Sequence, residues 1–159
     1  MYRSSSSSGA GMSTRLALTV KRLPNVELID HGFWLLRLLC DLRFPSRAGV
    51  SDPYPAIVDT GAPTSIIPRS LWGQTPVRRL KSFSLQGLVA RKECAVSVTA
   101  GVISAVLQDS QGRQLKRTFR AYLAEHDEVP LILGMQDLLA EAKLFLDLKA
   151  QTSWLEFRS

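Results

Sequence analysis

The chain has 159 residues, is 45% hydrophobic and carries a formal net charge of +6. That length suits one domain with a real core, since domains typically run ~100–200 residues. A membrane-spanning helix is not expected, because it needs ~20 apolar residues, the run Ala95–Leu107 is too short, and Arg37 interrupts Phe33–Cys40.

The N-terminus, Met1-Tyr2-Arg3 followed by five serines and Gly9-Ala10-Gly11, lacks the apolar stretch of a signal peptide. Residues 1–13 read as a flexible Ser/Gly-rich tail, with Met12 as a second candidate start. Residues 14–159 read as a single domain, with a cytoplasmic location expected. Arg15–Val20 alternates enough for a first strand. Pro24-Asn25 and His31-Gly32 mark turns. Phe33–Leu42 is a long apolar run and is expected to be a core strand. Arg43–Pro55, with Pro45, Gly49, Pro53 and Pro55, reads as a loop leading into the next strand.

The stretch Ala56–Pro68, AIVDTGAPTSIIP, is the most informative in the chain. Val58 would end a buried strand, and Asp59 would sit where the backbone leaves the sheet, its carboxylate free to face a cleft. Gly61 allows a conformation and a close approach that a Cβ would block. The hydroxyls of Thr60 and Ser65 can bond to neighbouring groups and fix the loop. The bland alternative is an Asx-type turn between two strands, with Asp59 capping only its own backbone.

Beyond this loop, Pro68–Gly73 suggests a short helical turn with Trp72 packed beneath it. Ser82–Leu107 reads as a hairpin broken by Arg91-Lys92-Glu93, Asp109–Arg113 as a hairpin turn, and Phe119–Leu123 as a strand. Leu131–Leu133 would be a buried strand and Gly134 a point of close backbone approach. Met135, Leu138, Leu139 and Ala142 fall at the spacing of one helix face. Leu144, Leu146 and Leu148 alternate as in a half-buried strand, and Trp154–Phe157 gives a last one. Many short strands with one helix argue for an all-β, closed β-barrel-like domain.

The Ala56–Pro68 stretch resembles the active-site loop of aspartic proteases, a hydrophobic pair followed by D-T-G-A-x-x-S/T. Asp109-Ser110-Gln111-Gly112 comes nearest to a second copy, but Gln111 stands where the glycine would be. With one such loop in so short a chain, the protein is similar to the retropepsin type, in which two identical chains each supply one aspartate. Leu131–Gly134 is similar to the second family segment, which passes beside the catalytic loop and precedes a short helix.

The resemblance implies the acid-protease (retropepsin) fold with one short C-terminal helix. It implies a homodimer with interleaved terminal strands, acting as an endopeptidase on polypeptides and sensitive to pepstatin. Asp59 would be catalytic, supported by Thr60, Gly61, Ala62 and Ser65, with Leu133 and Gly134 packed against the loop. Thr60 would bond across to the partner subunit. A flap is expected within Gly87–Glu93, at Gly87, Leu88, Val89, Ala90 and Arg91. No cofactor and no metal are implied. Pro63 and Thr64 stand where viral members carry acidic residues, and Met135 stands where they carry an arginine, so the pattern is closer to cellular and bacterial members. The alternative is a non-catalytic dimerisation or peptide-binding module on the same fold.

The remaining residues carry less. His31 and His126 lie outside any metal-ligand spacing, and no Ser-His-Asp set can be assembled, as Ser65 lacks a G-x-S-x-G context. Cys40 and Cys94 lie in apolar runs and read as small core residues, with a single disulfide as the other option. The basic clusters Arg78, Arg79, Lys81 and Arg113, Lys116, Arg117, Arg120 read as solvated surface. No nucleic-acid partner is expected, because no binding motif accompanies them.

Overall fold

The computed structural model describes residues 13–85 and 96–158. Residues 1–12 of the expected 1–13 tail, Cys94 and the flap residues Gly87–Arg91 lie outside the described residues, while Ser13 opens the first strand. The strands are, in chain order, β1 (Ser13–Ala17), β2 (Thr19–Pro24), β3 (Trp34–Leu42), β4 (Pro45–Ser46), β5 (Gly49–Val50), β6 (Tyr54–Val58) and β7 (Ser65–Ile67). A one-turn helix, α1 (Arg69–Trp72), precedes β8 (Val77–Leu85), β9 (Val96–Gln108), β10 (Gln114–Ala124), β11 (Ile132–Leu133), β12 (Ala142–Asp147) and β13 (Thr152–Arg158). The domain is therefore all-β with a single short α-helix among the described residues.

Eight strands form one sheet in the order β2-β3-β6-β11-β7-β10-β9-β8, three form a second in the order β1-β13-β12, and β4-β5 make a small hairpin. The chain changes sheets at Leu18, so Arg15–Val20 is two strands rather than one. Leu18 is fixed there by its N–H donating to Ser153 O at 3.0 Å and by the Ser153 hydroxyl donating to Leu18 O at 3.2 Å. Leu16, Leu155 and Phe157 of the small sheet join Leu42, Leu107 and Leu133 in one buried core. Full burial of such a side chain contributes about 1.5–3 kcal/mol.

Successive residues of a strand face opposite sides. Ile67 accordingly enters the main core, while Ile66 enters a smaller cluster with Val96, Val98, Ala124 and Val129. Helix α1 is anchored at both ends of its single turn. Asp127 accepts the Ser70 N–H at 2.7 Å, and the buried Trp72 donates its indole N–H to Ala124 O at 2.6 Å.

The structure corrects several further expectations. No closed barrel forms among the described residues, because β2 and β8 remain edges of the large sheet. The sheet curls enough for Arg43 and Val106 to exchange backbone hydrogen bonds at 3.1 and 2.7 Å. The β8 edge carries Arg78, Arg79 and Lys81 and a register shift between Arg79 and Lys81. Charge and a bulge of this kind keep a strand from pairing further.

The expected C-terminal helix is also absent. Asp137 takes φ 61, which breaks a right-handed helix, and only a 3-10 turn, Leu139–Glu141, follows. Ala142 already belongs to β12, opposite Phe157. The helical spacing of Met135, Leu138, Leu139 and Ala142 therefore spans a turn, a 3-10 turn and a strand.

Two more corrections concern apolar runs. β3 is a core strand only in its second half, and Phe33 to Leu36 are each about half exposed. The reason is that β2 and β3 continue as a hairpin past the body of the sheet, where β6 no longer covers them. Leu144, Leu146 and Leu148 are exposed rather than half-buried, since β12 is the open edge of the small sheet. The loop expected over Arg43–Pro55 contains the β4–β5 hairpin, and β6 begins inside it, at Tyr54.

Candidate active site

Strands β6 and β7 do not pair with each other, because β11 lies between them. It runs parallel to β6, with Leu133 opposite Val58, and antiparallel to β7, with Ile132 opposite Ile66. This arrangement fixes the loop from Asp59 to Thr64 at both ends. The Asp59 N–H donates to Leu133 O at 3.0 Å. The Gly134 N–H donates to the hydroxyl of the fully buried Ser65 at 3.0 Å.

The chain after Gly134 continues the seam. Met135 N–H donates to Ala62 O and Gln136 N–H to Pro63 O, both at 2.8 Å. The Thr64 hydroxyl donates to Gln136 Oε1 at 3.2 Å. A Cβ on Gly134 would lie 2.5 Å from Thr64 C and 2.7 Å from Thr64 O, so only glycine fits without moving the loop.

Asp59 is half-buried. Its Oδ1 accepts the Gly61 N–H at 2.8 Å, and Ala62 N–H donates to Asp59 O at 3.3 Å. This is the Asx-type turn of the bland reading, and it leaves Oδ2 without a hydrogen bond among the described residues. Gly61 does not occupy the left-handed region. Its role is space, because a Cβ there would stand 3.2 Å from Asp59 Oδ1. Thr60 is exposed, and its hydroxyl has no hydrogen-bond partner among the described residues.

Asp59 and Thr60 line a groove of about 430 Å³ together with Ile57, Val58, Leu36, Arg37, Leu38, Val20, Leu146 and Leu148. Thus β2, β3 and the end of β12 supply a wall that the loop motif does not reveal. A neighbouring hollow of about 520 Å³ shares Val20 and Leu148 with it and adds Arg22 and Gln151.

Behind the loop, Arg120 holds Asp137 through three hydrogen bonds. The Arg120 N–H and Nε donate to Oδ2 at 2.9 and 2.8 Å, and Nη2 donates to Oδ1 at 2.7 Å. The Arg120 guanidinium brings the Asp137 carboxyl down to about 2. Asp137 belongs to no motif, and Arg120 shows in the sequence only as part of the second basic cluster, so the pair is not legible there. Of the second basic cluster, Arg113 and Arg117 also pair with acids, Asp109 and Glu141.

No group of three His, Cys, Asp or Glu side chains placed to hold a metal occurs among the described residues. Cys40 is a free, buried thiol, and burial pushes it up to about 12. No described helix is long and apolar enough to cross a membrane. No protein-family model matches the chain, and no curated protein matches it.

Proposed function

We propose that the chain is a homodimeric aspartic endopeptidase of the retropepsin type, with Asp59 from each of two copies forming the catalytic pair. The observation that carries this reading is the meeting of the two motif segments. Gly134 abuts Thr64 and donates to Ser65, so the Leu131–Gly134 segment braces the loop that bears Asp59. A turn that merely joined two strands would not need a glycine from a distant segment against its backbone.

The chemistry needs two carboxylates close together. Like charges at that distance cannot both ionise easily, so the pair holds one proton. The ionised member takes a proton from a water, which attacks the peptide carbonyl. The protonated member donates a hydrogen bond to the carbonyl oxygen and later helps protonate the leaving amine. The protonation behaviour belongs to the pair rather than to one residue.

Two features support the second copy. One chain carries one such aspartate, and strand β12, whose end borders the Asp59 groove, has an unpaired edge and exposed leucines. β13 lies between β1 and β12, so the small sheet has two edges, and β12 is the one whose end borders the Asp59 groove.

The Asp59–Gly61 turn would equally serve a non-catalytic peptide-binding module. Cleavage of a denatured-protein or peptide library across pH 3–8, with and without pepstatin and with Asp59→Asn as control, separates the two. Cleavage that needs Asp59 and stops with pepstatin supports the protease. Peptide binding without turnover at any pH supports the module.

A further inference from the structure

The groove beside Asp59 has apolar walls and a cationic rim, and its charges lack partners. Arg37 lines the groove, and Arg22 lines the hollow that continues it. Arg15, Arg113, Arg117 and Arg120 each pair with a carboxylate, whereas Arg22 and Arg37 have no such partner among the described residues. Asp59 is the single acidic residue that lines either space. The acids of the flanking β3 and β12 line neither space. Asp147 accepts the Ala150 N–H at 2.8 Å, and Asp41 stands opposite Pro55 towards the far end of β3.

The register makes the charge arrangement more pointed. Lys21 of β2 lies directly opposite Arg37 of β3. Like charges in that relation destabilise a sheet. Lysine on an edge strand is explained by protection of the edge. That explanation does not extend to Arg37, which sits one strand inward and borders the groove. An anion seated there would relieve the repulsion. Leu36, Leu38, Leu146 and Leu148 around it suit the side chains of an extended peptide, not a sugar-phosphate backbone.

We propose that this groove selects peptides that place an acidic side chain among apolar ones, with Arg37 receiving the carboxylate. The catalytic part rests on the protease reading; the binding part does not. A hydrogen-bonded charge pair at a partly exposed site is expected to give about tenfold in affinity.

The test uses the full chain with Asp59→Asn, so that bound peptide is not consumed. Fluorescein-labelled peptides with one glutamate, glutamine or lysine between leucines are titrated by anisotropy. The glutamate peptide is expected to bind about tenfold tighter than the glutamine peptide and tighter still than the lysine peptide. Arg37→Gln should remove most of that difference and Arg37→Lys should keep part of it, while Arg22→Gln, on the opposite face of the β2–β3 hairpin, should keep it. Equal affinity for the glutamate and glutamine peptides overturns the proposal. So does a single-stranded oligonucleotide that displaces the glutamate peptide at lower concentration than the peptide itself. So does an Arg37→Gln protein that loses self-association by sedimentation while keeping its preference for glutamate. If the wild-type chain cleaves nothing yet the Arg37-dependent preference is found, the protease reading fails and this one stands. If it cleaves with no preference for acidic peptides, the reverse holds.

Discussion

Arg120 grips Asp137 with its backbone N–H and, through Nε and Nη2, one edge of its guanidinium, at 2.9, 2.8 and 2.7 Å. The grip explains why a non-glycine residue tolerates φ 61. It also ties β10 to the turn whose Met135 and Gln136 N–H groups hold the Ala62 and Pro63 carbonyls. The pair is a strap behind the Asp59 loop, built from residues that contact neither the loop's carboxylate nor the groove.

Removal of the strap should be felt in two measurements. Arg120→Ala should lower the urea midpoint only slightly near neutral pH, since the arginine is largely solvent-exposed. Asp137 has a lowered folded-state pKa, so its contribution is complete above the ordinary carboxylate value of 3.8 and is lost as pH falls through about 2. The difference between wild type and Arg120→Ala should therefore persist at pH 4 and vanish below about pH 2. A difference that instead disappears between pH 5 and 7 would assign the effect to another group. The strap would thus stay charged over the acidic range in which a shared-proton aspartate pair works.

Gly134 should tolerate nothing larger. A branched side chain there meets the Thr64 backbone, not a flexible side-chain end, so the loop itself must move. Overpacking of this kind typically costs ~1–3 kcal/mol. For Gly134→Val we expect a lowered urea midpoint and a larger proportional loss of turnover, because a small displacement of Asp59 misplaces the pair. Wild-type turnover in a destabilised Gly134→Val protein would show that the glycine serves packing alone.

Asp59→Asn should abolish cleavage and leave the unfolding midpoint nearly unchanged, since Oδ1 of an asparagine can still accept the Gly61 N–H. Wild-type activity should favour acidic to near-neutral pH and fade at high pH, where the pair loses its shared proton and two carboxylates repel. EDTA should have no effect. A rate that still rises at pH 9, or one restored by zinc after chelation, would contradict a two-aspartate mechanism.

The parts of this site that could be read in the sequence are those set by local chemistry. Asp59 at a strand end and Gly61 beside its carboxylate depend on neighbours a few residues away, whereas Gly134 meets Thr64 and Ser65 from a distant segment and is legible only through its motif. The insertion of β11 between β6 and β7 is a non-local pairing with no periodic signature, and so are the Arg120–Asp137 strap and the wall from Leu36 to Leu38. Two readings failed because one pattern has two origins. The spacing from Met135 to Ala142 matches a helix, but the hydrogen bonds of Asp137 outweigh a propensity of a few tenths of a kcal/mol per residue. The leucines of β3 and β12 look like core because apolar sequence reports a need for burial, not where the covering surface lies. Closure of a barrel depends on edges, and the charges that protect β8 are visible only once it is known to be an edge.

The exposed leucines lead to the last prediction. β12 offers Leu144 and Leu146 on one side and Phe145, stacked on Trp154 at 4.0 Å, on the other, beside an edge with unpaired N–H and C=O groups. An open apolar edge invites pairing with another strand, and two copies meeting there about a two-fold axis would form one continuous six-stranded sheet without a new edge in the middle. Leu144 is the better probe, because Leu146 also borders the Asp59 groove and Leu144 does not. Leu144→Glu would put a charge, and its symmetry copy, into that apolar seam. Leu144→Glu should therefore raise the dimer dissociation constant at least about tenfold by sedimentation velocity. Specific activity at a fixed low concentration should fall with it and recover at high protein concentration, as mass action requires. A Leu144→Glu protein that stays dimeric with full activity would move the seam away from β12, and a strictly monomeric wild type with undiminished turnover would end the two-chain site.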